Sequence, residues 1–202
     1  MAININPGSP LRHVATYNTS GNWTAPAGTN LAFVSIHSAT GGGAAGHSRP
    51  QRYGQQLAGA AGGTGIVSGA YVQVTPGSAH VVTIGAAGAG GAGGGSDVNN
   101  AGGANGGTTT FDGAFSVTGT GGANAWTTSG RYSINSNVGA SANSAGTTSL
   151  TSLNPGNTTL IRTGTISNQA TGASGGGAGG NATRYNNNAG GTGANGIVHI
   201  YL

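Results

Sequence analysis

The chain has 202 residues, of which 44 are glycine, 5% are aromatic and 4% are charged, so a full-sized core of ordinary side chains is excluded. The 6 basic residues are all arginine, too few for the clustered basic face of a nucleic-acid-binding protein. Without cysteine there are no disulfides or thiolate metal sites, and no apolar run is long enough to insert into a membrane as a helix.

Short alternating runs predict β-strands along the chain. Residues 1–15 are interpreted as an extended N-terminal attachment arm, and residues 16–202 as one glycine-rich domain. The chain opens on its own Met without the pattern of a signal peptide, so we expect a separate, soluble subunit that is not exported by an N-terminal signal. Extended structure begins with the aromatic-bearing run at 16–24.

Further strands are predicted at 31–36, 66–74, 80–84, 108–118, 158–166 and 196–202. In the run 108–118, Phe111, Phe115 and Val117 form the predicted apolar side. Gly69 is expected to form a bulge within its run, and the turn residues at 75–78 predict a hairpin between the runs on either side. The last strand is expected to close a small sheet. No stretch combines capping residues with a sustained helical period of apolar residues.

Glycine-rich runs follow or precede most of these strands. They lie at 41–46, 59–65, 85–95, 102–107, 172–180 and 190–196. The run 85–95, GAAGAGGAGGG, contains only Gly and Ala, and we expect the rest of the chain to be organised around it. Ordering such a run costs about 1–2 kcal/mol per residue, which its side chains cannot offset. Disorder is the alternative, but it goes with high charge and few β-branched residues, and this chain shows the opposite.

An ordered run of this composition must be held by its backbone. Extended helices with three residues per turn rise about 3.1 Å per residue. Rods of this kind, nearly without side chains, can pack through N–H···O and Cα–H···O contacts. The predicted fold class is therefore all-β, with a small β-sheet or sandwich region, packed extended polyglycine II helices and no substantial α-helix.

The order of the motifs is similar to that of a known family. The chain carries, in succession, YNTSGNWTAPAG, LAFVSIHSATGGGAAG, YVQVTPGSAHVVTIGAAGAGG, GGANGGTTTF and GGTGANGIVHIYL. From about residue 17 to residue 202 it resembles the glycine-rich domain of bacteriophage tail fibre adhesins and minor tail proteins. The resemblance implies a small β-region beside packed polyglycine II helices, in a virion component of the phage tail. The polar insertion at 119–157 departs from the family pattern.

Three Arg-Tyr pairs lie in polar segments between the glycine runs, one of which also contains a tryptophan. Tyr, Ser, Gly and Asn form adaptable contact surfaces at low entropic cost, and Arg adds charge and stacking. We expect a receptor-contact surface for cell-surface glycan. The alternative is that these aromatic residues pack locally or against other tail subunits. The candidates are Arg52, Tyr53, Trp126, Arg131, Tyr132, Arg184 and Tyr185.

Catalytic and cofactor chemistry finds little support in the sequence. Residues 88–93 fit G-x-G-x-x-G, but a nucleotide site needs a helix to begin there, and more glycine follows. Asp97 and Asp112 are the only acidic side chains and are expected to cap turns, so a glycosidase would need both. No cofactor is expected.

The histidines show no close metal-ligand spacing, so surface or interface positions are favoured over a metal site. His80 and His199 fall on alternating runs and could approach each other within a sheet. The five histidines are His13, His37, His47, His80 and His199.

These observations favour a non-enzymatic, adhesive tail subunit in the virion. Its partners would be other tail proteins and copies of itself, with a trimer as one option, but neither nucleic acid nor membrane. Two alternatives remain open. One is a purely structural connector or decoration protein; the other is a depolymerase of surface polysaccharide, which the two carboxylates disfavour.

Overall fold

The structure is a computed structural model of the chain. It describes residues 11–49, 55–57, 59, 61–93, 102–122, 148–150, 162–165 and 188–202. Within these residues all regular secondary structure is β, which confirms the predicted all-β class. Accordingly, the described residues contain no helix that could cross a membrane.

Twelve strands are described. They are β1 (His13–Tyr17), β2 (Gly21–Thr24), β3 (Leu31–His37), β4 (His47–Arg49), β5 (Gln55–Leu57), β6 (Ile66–Gln73), β7 (Ala79–Thr83), β8 (Thr109–Phe111), β9 (Phe115–Val117), β10 (Thr148–Leu150), β11 (Arg162–Thr165) and β12 (Ile197–Tyr201). The first sheet has the order β1-β12-β3-β6-β11 and the second sheet has the order β10-β9-β8-β7-β2. Strands β4 and β5 pair separately, and every pairing is antiparallel.

The two five-stranded sheets share one hydrophobic core. On β3, alternate residues Ala32, Val34 and Ile36 are buried, as the period of a strand with one covered face requires. The second sheet contributes Phe111 and Phe115 among other buried side chains. This arrangement agrees with the predicted sandwich region and with the apolar side predicted for residues 108–118.

The predicted bulge at Gly69 is wrong. Strand β6 runs unbroken from 66 to 73, and Gly69 stands in register with Ser35 of β3. A Cβ at this position would lie 2.5 Å from Cζ of Phe33. The glycine therefore makes room for an aromatic ring on the neighbouring strand.

The predicted hairpin between β6 and β7 is also wrong. Strand β6 pairs with β3 and β11, whereas β7 pairs with β2 and β8 in the other sheet. Strand β6 buries Ala70 in the core, and strand β7 buries Val82. The turn at 75–78 leads the chain across the core, so that these buried sides of the two strands are both covered. The last strand, β12, lies inside the first sheet between β1 and β3.

The glycine-rich segments pack side by side in what we call the glycine array. It comprises residues 38–46, 59, 61–65, 85–93, 102–107, 119–122 and 188–196. Residues 38–46 form its central segment, in which all nine residues are buried. Backbone atoms of each of the other segments approach this one. The array is therefore organised around 38–46, and the expectation that 85–95 would hold this position is wrong.

Backbone hydrogen bonds join the segments at intervals of three residues. The N–H groups of Gly190, Gly193 and Gly196 donate to the carbonyl oxygens of Gly91, Gly88 and Gly85, at 2.9 Å each. The central segment donates in the same rhythm, from Thr40, Gly43 and Gly46 to Ala194, Gly191 and Asn188, at 2.9, 2.9 and 3.1 Å. Both pairs of segments are antiparallel, whereas Gly88 and Gly91 donate to Thr40 and Gly43 in a parallel pair.

The glycines of the array allow neighbouring backbones to approach each other closely. A Cβ built on Gly42 would overlap the carbonyl oxygen of Ala89, and one built on Gly88 would overlap that of Ala104. Positive φ does not explain them, because the described glycines with positive φ are Gly28, Gly77 and Gly113, outside the array. The contact between segments thus requires that no side chain stands between two backbones.

Exposure along residues 85–93 repeats every third residue. Gly85, Gly88 and Gly91 are buried, whereas Ala86, Ala89 and Ala92 are exposed. One side of this segment faces the array and the other faces solvent, and glycine lies on the inner side.

We predict that Gly88→Ala destabilises the protein by about 1–3 kcal/mol, the usual cost of overpacking, because two backbones must separate to admit the methyl group. Ala89→Ser, at the adjacent exposed position, is the matched control and should change the free energy of unfolding by less than about 0.5 kcal/mol. Chemical denaturation of both variants measures the difference. Equal stability of the two would contradict the role given to close approach.

Candidate functional site

The residues predicted to contact a receptor lie outside the described residues. These are Arg52, Tyr53, Trp126, Arg131, Tyr132, Arg184 and Tyr185. His47 lies in β4, where only the backbone is described, and Asp97 also lies outside the described part. The receptor-contact hypothesis therefore stays a prediction.

The described residues nevertheless show where the chain enters and leaves the glycine array. At the end next to the sheets, the N–H of Ser38 donates to the carbonyl oxygen of Ile66, and that of Gly196 donates to Gly85. At the opposite end, the N–H of Gly46 donates to Asn188 at 3.1 Å. A Cβ on Gly59 would meet the backbone of Ala44 and Ala45 near that same end.

We call this opposite end the distal end of the array and define it by Gly46, Gly59 and Asn188. Gly122 lies further from this end, level with Gly41, because a Cβ built on Gly41 would lie 2.6 Å from the N atom of Gly122. The chain passes from Gly46 through β4 and β5 to Gly59, and the described part of the last segment begins at Asn188. The stretches that carry Arg52-Tyr53 and Arg184-Tyr185 are thus joined to the array at its distal end, whereas the stretch with Arg131-Tyr132 lies in sequence between Gly122 and β10.

A buried histidine links the two turns at one end of the second sheet. His80 on β7 is 5% exposed, and its Nδ1 lies 2.9 Å from Oδ2 of Asp112. Its Nε2 accepts a hydrogen bond from the N–H of Thr75 at 3.2 Å. The ring packs against Phe111 and Trp23, with centroids at 5.8 and 5.9 Å. Because Nε2 accepts, the hydrogen of the neutral ring lies on Nδ1.

This pair resembles the Asp–His half of a catalytic triad, but its geometry is structural. In a triad the second ring nitrogen faces a nucleophile, whereas here a backbone N–H occupies that nitrogen. Asp112 stands in the turn between β8 and β9 with φ at 53°, and its Oδ1 accepts from the N–H of Val81 at 3.4 Å. The pair fixes the 75–78 turn to the β8–β9 turn.

The hypothesis that His80 approaches His199 is wrong, because the two lie in different sheets. His199 instead belongs to a cluster on the outer face of the first sheet. Its Nδ1 lies 2.9 Å from Oγ1 of Thr16, and Nε2 of His13 lies 2.8 Å from the same oxygen. The ring of His37 stands edge-on to His199, with centroids at 5.1 Å.

Aromatic rings continue this cluster across the sheet. Tyr201 lies 5.3 Å from His13, and Phe33 lies 6.0 Å from Tyr201 and 5.1 Å from Tyr71, all between ring centroids. Tyr71 is 38% exposed at the outer end of this row. The sequence alone did not reveal this surface, since its members come from β1, β3, β6 and β12.

Burial and neighbouring histidines lower the pKa of two rings in the cluster. Burial lowers the pKa of His37 below its usual value, and His199 lowers it further. Burial likewise lowers the pKa of His199, with a smaller contribution from His13. The folded state therefore favours neutral imidazoles here.

Two candidate sites, a metal site and a phosphate site at residues 88–93, can be compared with the described part of the chain. No group of three or more His, Cys, Asp or Glu side chains there could hold a metal ion. In the G-x-G-x-x-G stretch, the N–H groups of Gly88 and Gly91 donate to the central segment at 2.9 and 2.8 Å. These two groups are committed to the array and do not face a phosphate.

No protein-family model matches the chain, and no curated protein matches it. The tail-protein family inferred from the sequence therefore stays a prediction.

We predict that the free energy of unfolding falls as the pH drops below about 6.5, the pKa of an unperturbed histidine. Because the folded pKa values of His37 and His199 are lowered, the unfolded chain binds protons first, and stability is lost as the pH falls from the unfolded value towards the folded ones. Among the described side chains the only carboxylate is that of Asp112, which pairs with His80 and so does not offset charge in this cluster.

Denaturant titrations between pH 8 and pH 5, a range of about 1.5 units on either side of that pKa, measure this effect. The double variant His37→Gln/His199→Gln should show a smaller loss of stability over the same range. An identical pH profile for the variant and the unmodified protein would contradict the assignment.

Proposed function

We propose that the chain is a bacteriophage tail component, a minor tail protein or tail fibre tip adhesin, that contacts the host cell surface and does not catalyse a reaction. The observation that carries the proposal is the distal end of the glycine array, where two of the three stretches with Arg-Tyr pairs, those with Tyr53 and Tyr185, are joined to it. Together with the motif order, this geometry favours an adhesive role over a plain structural one.

We further propose that the segments of the array are polyglycine II helices. A polyproline II-type helix has three residues per turn. The hydrogen bonds between 85–93 and 188–196 recur every third residue, and so does the exposure along 85–93. Both repeats support three-fold helices that present the same face to a neighbour on every turn.

Such a scaffold suits the display of variable contact loops. The described contacts that hold the array together come from backbone groups and from threonine and asparagine side chains of its own segments, and the sandwich has its own core. We infer that side chains in the joining stretches are available for contact with a ligand. The Tyr, Asn, Ser and Gly content of these stretches is typical of adaptable binding loops.

The partners follow from this assignment as part of the proposal. Copies of the chain would form a symmetric oligomer, such as a trimer, attached to other tail proteins in the virion. Host cell-surface glycan is the proposed ligand, because Tyr and Trp rings present flat apolar faces and polar edges to it. The N-terminal arm at 1–15 is the proposed attachment point, of which β1 takes residues 13–15 into the first sheet.

A purely structural connector or decoration protein is the second candidate. The row of rings on the outer face of the first sheet favours it, since Phe33, Tyr71 and Tyr201 offer aromatic surface to a neighbouring subunit. In that case the stretches with Arg-Tyr pairs would not be needed for adsorption, and the outer face of the first sheet would be needed for assembly.

The triple variant Tyr53→Ala/Tyr132→Ala/Tyr185→Ala tests the proposal. We expect phage that carry it to assemble normally and adsorb to host cells at least about tenfold more slowly, because loss of a single hot-spot aromatic residue costs about 2 kcal/mol or more of binding free energy. Tyr71→Ala on the sheet face is the matched control, and it should leave adsorption unchanged.

Melting temperature and virion composition show whether the subunit folds and is incorporated. Normal adsorption by the folded, incorporated triple variant would contradict the receptor role. Loss of assembly in the Tyr71→Ala variant alone would favour the connector.

A further inference from the structure

The glycine array separates residues with and without side chains according to their exposure. Outside the central segment, the buried residues of the array are all glycine except Thr120. The exposed residues of the array all carry side chains except Gly93, the last described residue of its segment. These exposed residues are Ala61, Ala86, Ala89, Ala92, Gly93, Ala104, Asn105, Asn188, Ala189, Thr192 and Asn195.

The exposed side chains form columns with the period of the array. On residues 85–93 the column is Ala86, Ala89 and Ala92, and on 188–196 it is Ala189 and Thr192. The exposed Asn195 instead turns its Oδ1 to the neighbouring segment, where it accepts from the N–H of Ala87 at 2.8 Å. The inner positions of 188–196, Gly190, Gly193 and Gly196, are sites where a Cβ would overlap a neighbouring segment or side chain. Two residue types thus alternate in three-residue register, glycine inward and a side chain outward.

We propose that these outward columns end the array sterically, so that a second copy of the chain cannot dock its own glycine segments edge to edge. Docking of one segment on another brings a carbonyl oxygen to the place where a Cβ would stand, as at Gly88 and Gly190. The methyl groups of Ala86, Ala89 and Ala92 occupy that place on the outer side. The inference does not depend on a role in a phage tail.

Columns that block docking are needed because of the way in which the segments of the array bind one another. Segments bind one another through repeated backbone groups, both parallel and antiparallel, so nothing in the pairing chemistry limits the number of segments. An uncapped outer face would be open to further copies in the way that an exposed sheet edge is. Where the rotation between successive copies does not close a ring, a contact of this kind leads to open-ended assembly.

The central segment of the array contains buried alanines. Ala39, Ala44 and Ala45 are at most 2% exposed, so the array accommodates a methyl group at particular positions. Exclusion therefore depends on where the Cβ stands relative to the next backbone and not on alanine as such. An outward column blocks docking because all its members present the methyl on the same side.

The test is the oligomeric state of the triple variant Ala86→Gly/Ala89→Gly/Ala92→Gly. Sedimentation velocity over a range of concentrations should show at least a doubling of the weight-average mass relative to the unmodified protein, increasing with concentration. The matched control Ala86→Ser/Ala89→Ser/Ala92→Ser keeps a side chain at each position and should sediment like the unmodified protein.

Near-UV circular dichroism of each variant shows whether association accompanies a folded state. A folded glycine variant with the unmodified mass would overturn the proposal, and so would equal association of the glycine and serine variants. If the glycine variant does not fold, the variant Ala189→Gly/Thr192→Gly on the second column tests the proposal instead. Its sedimentation mass is then compared with that of the control Ala189→Ser/Thr192→Ser.

Discussion

The structure depends on the direct approach of one backbone to another, without side chains between them. In the array a carbonyl oxygen of one segment lies against the Cα of a glycine in the next, close enough that a Cβ would overlap it. The N–H groups then reach neighbouring carbonyl oxygens at 2.8–3.1 Å. Hydrogen bonds that satisfy the backbone offset the high entropic cost of ordering glycine, in place of the hydrophobic burial that an ordinary core would supply.

The sandwich and the array support each other through a few hydroxyl groups. Thr109 at the start of β8 accepts from the N–H of Gly85 at 3.1 Å, where one array segment leaves the second sheet. Within the array, Thr120 donates to the carbonyl oxygen of Gly63 at 2.8 Å and accepts from Gly41 at 3.1 Å. Thr40 accepts from Ala194 at 2.6 Å. Buried threonines thus act as cross-links between segments that otherwise have only backbone groups.

Much of the sheet architecture could be predicted from local patterns. The alternation in 31–36 predicted β3, and Phe111, Phe115 and Val117 were placed on the buried side as the structure has them. The turn at 75–78 was also evident, but a turn signal does not say whether the chain pairs with itself or crosses to another sheet. The bulge predicted at Gly69 was wrong because glycine is required there by the ring of Phe33, which lies 36 positions away in sequence.

The arrangement of the glycine runs could not be predicted from composition. The longest run, 85–95, looked central, yet the segment with nine consecutive buried residues is 38–46, which includes Ser38 and Thr40. Which run is surrounded depends on the order in which the strands place their ends, and that order is non-local. The His80–Asp112 link and the cluster of His13, His37 and His199 arise in the same way, from strands that are distant in sequence and adjacent in a sheet or turn.

Amide hydrogen exchange followed residue by residue by NMR tests the central claim most directly. If backbone pairing every third residue holds the array, Gly88 and Gly91 should exchange slowly, whereas the exposed Ala86, Ala89 and Ala92 exchange fast. The same rhythm should recur at Gly190, Gly193 and Gly196. Uniformly fast exchange along 85–93, with slow exchange in the sheets, would show that the glycine segments are not held by their backbones and would contradict the account.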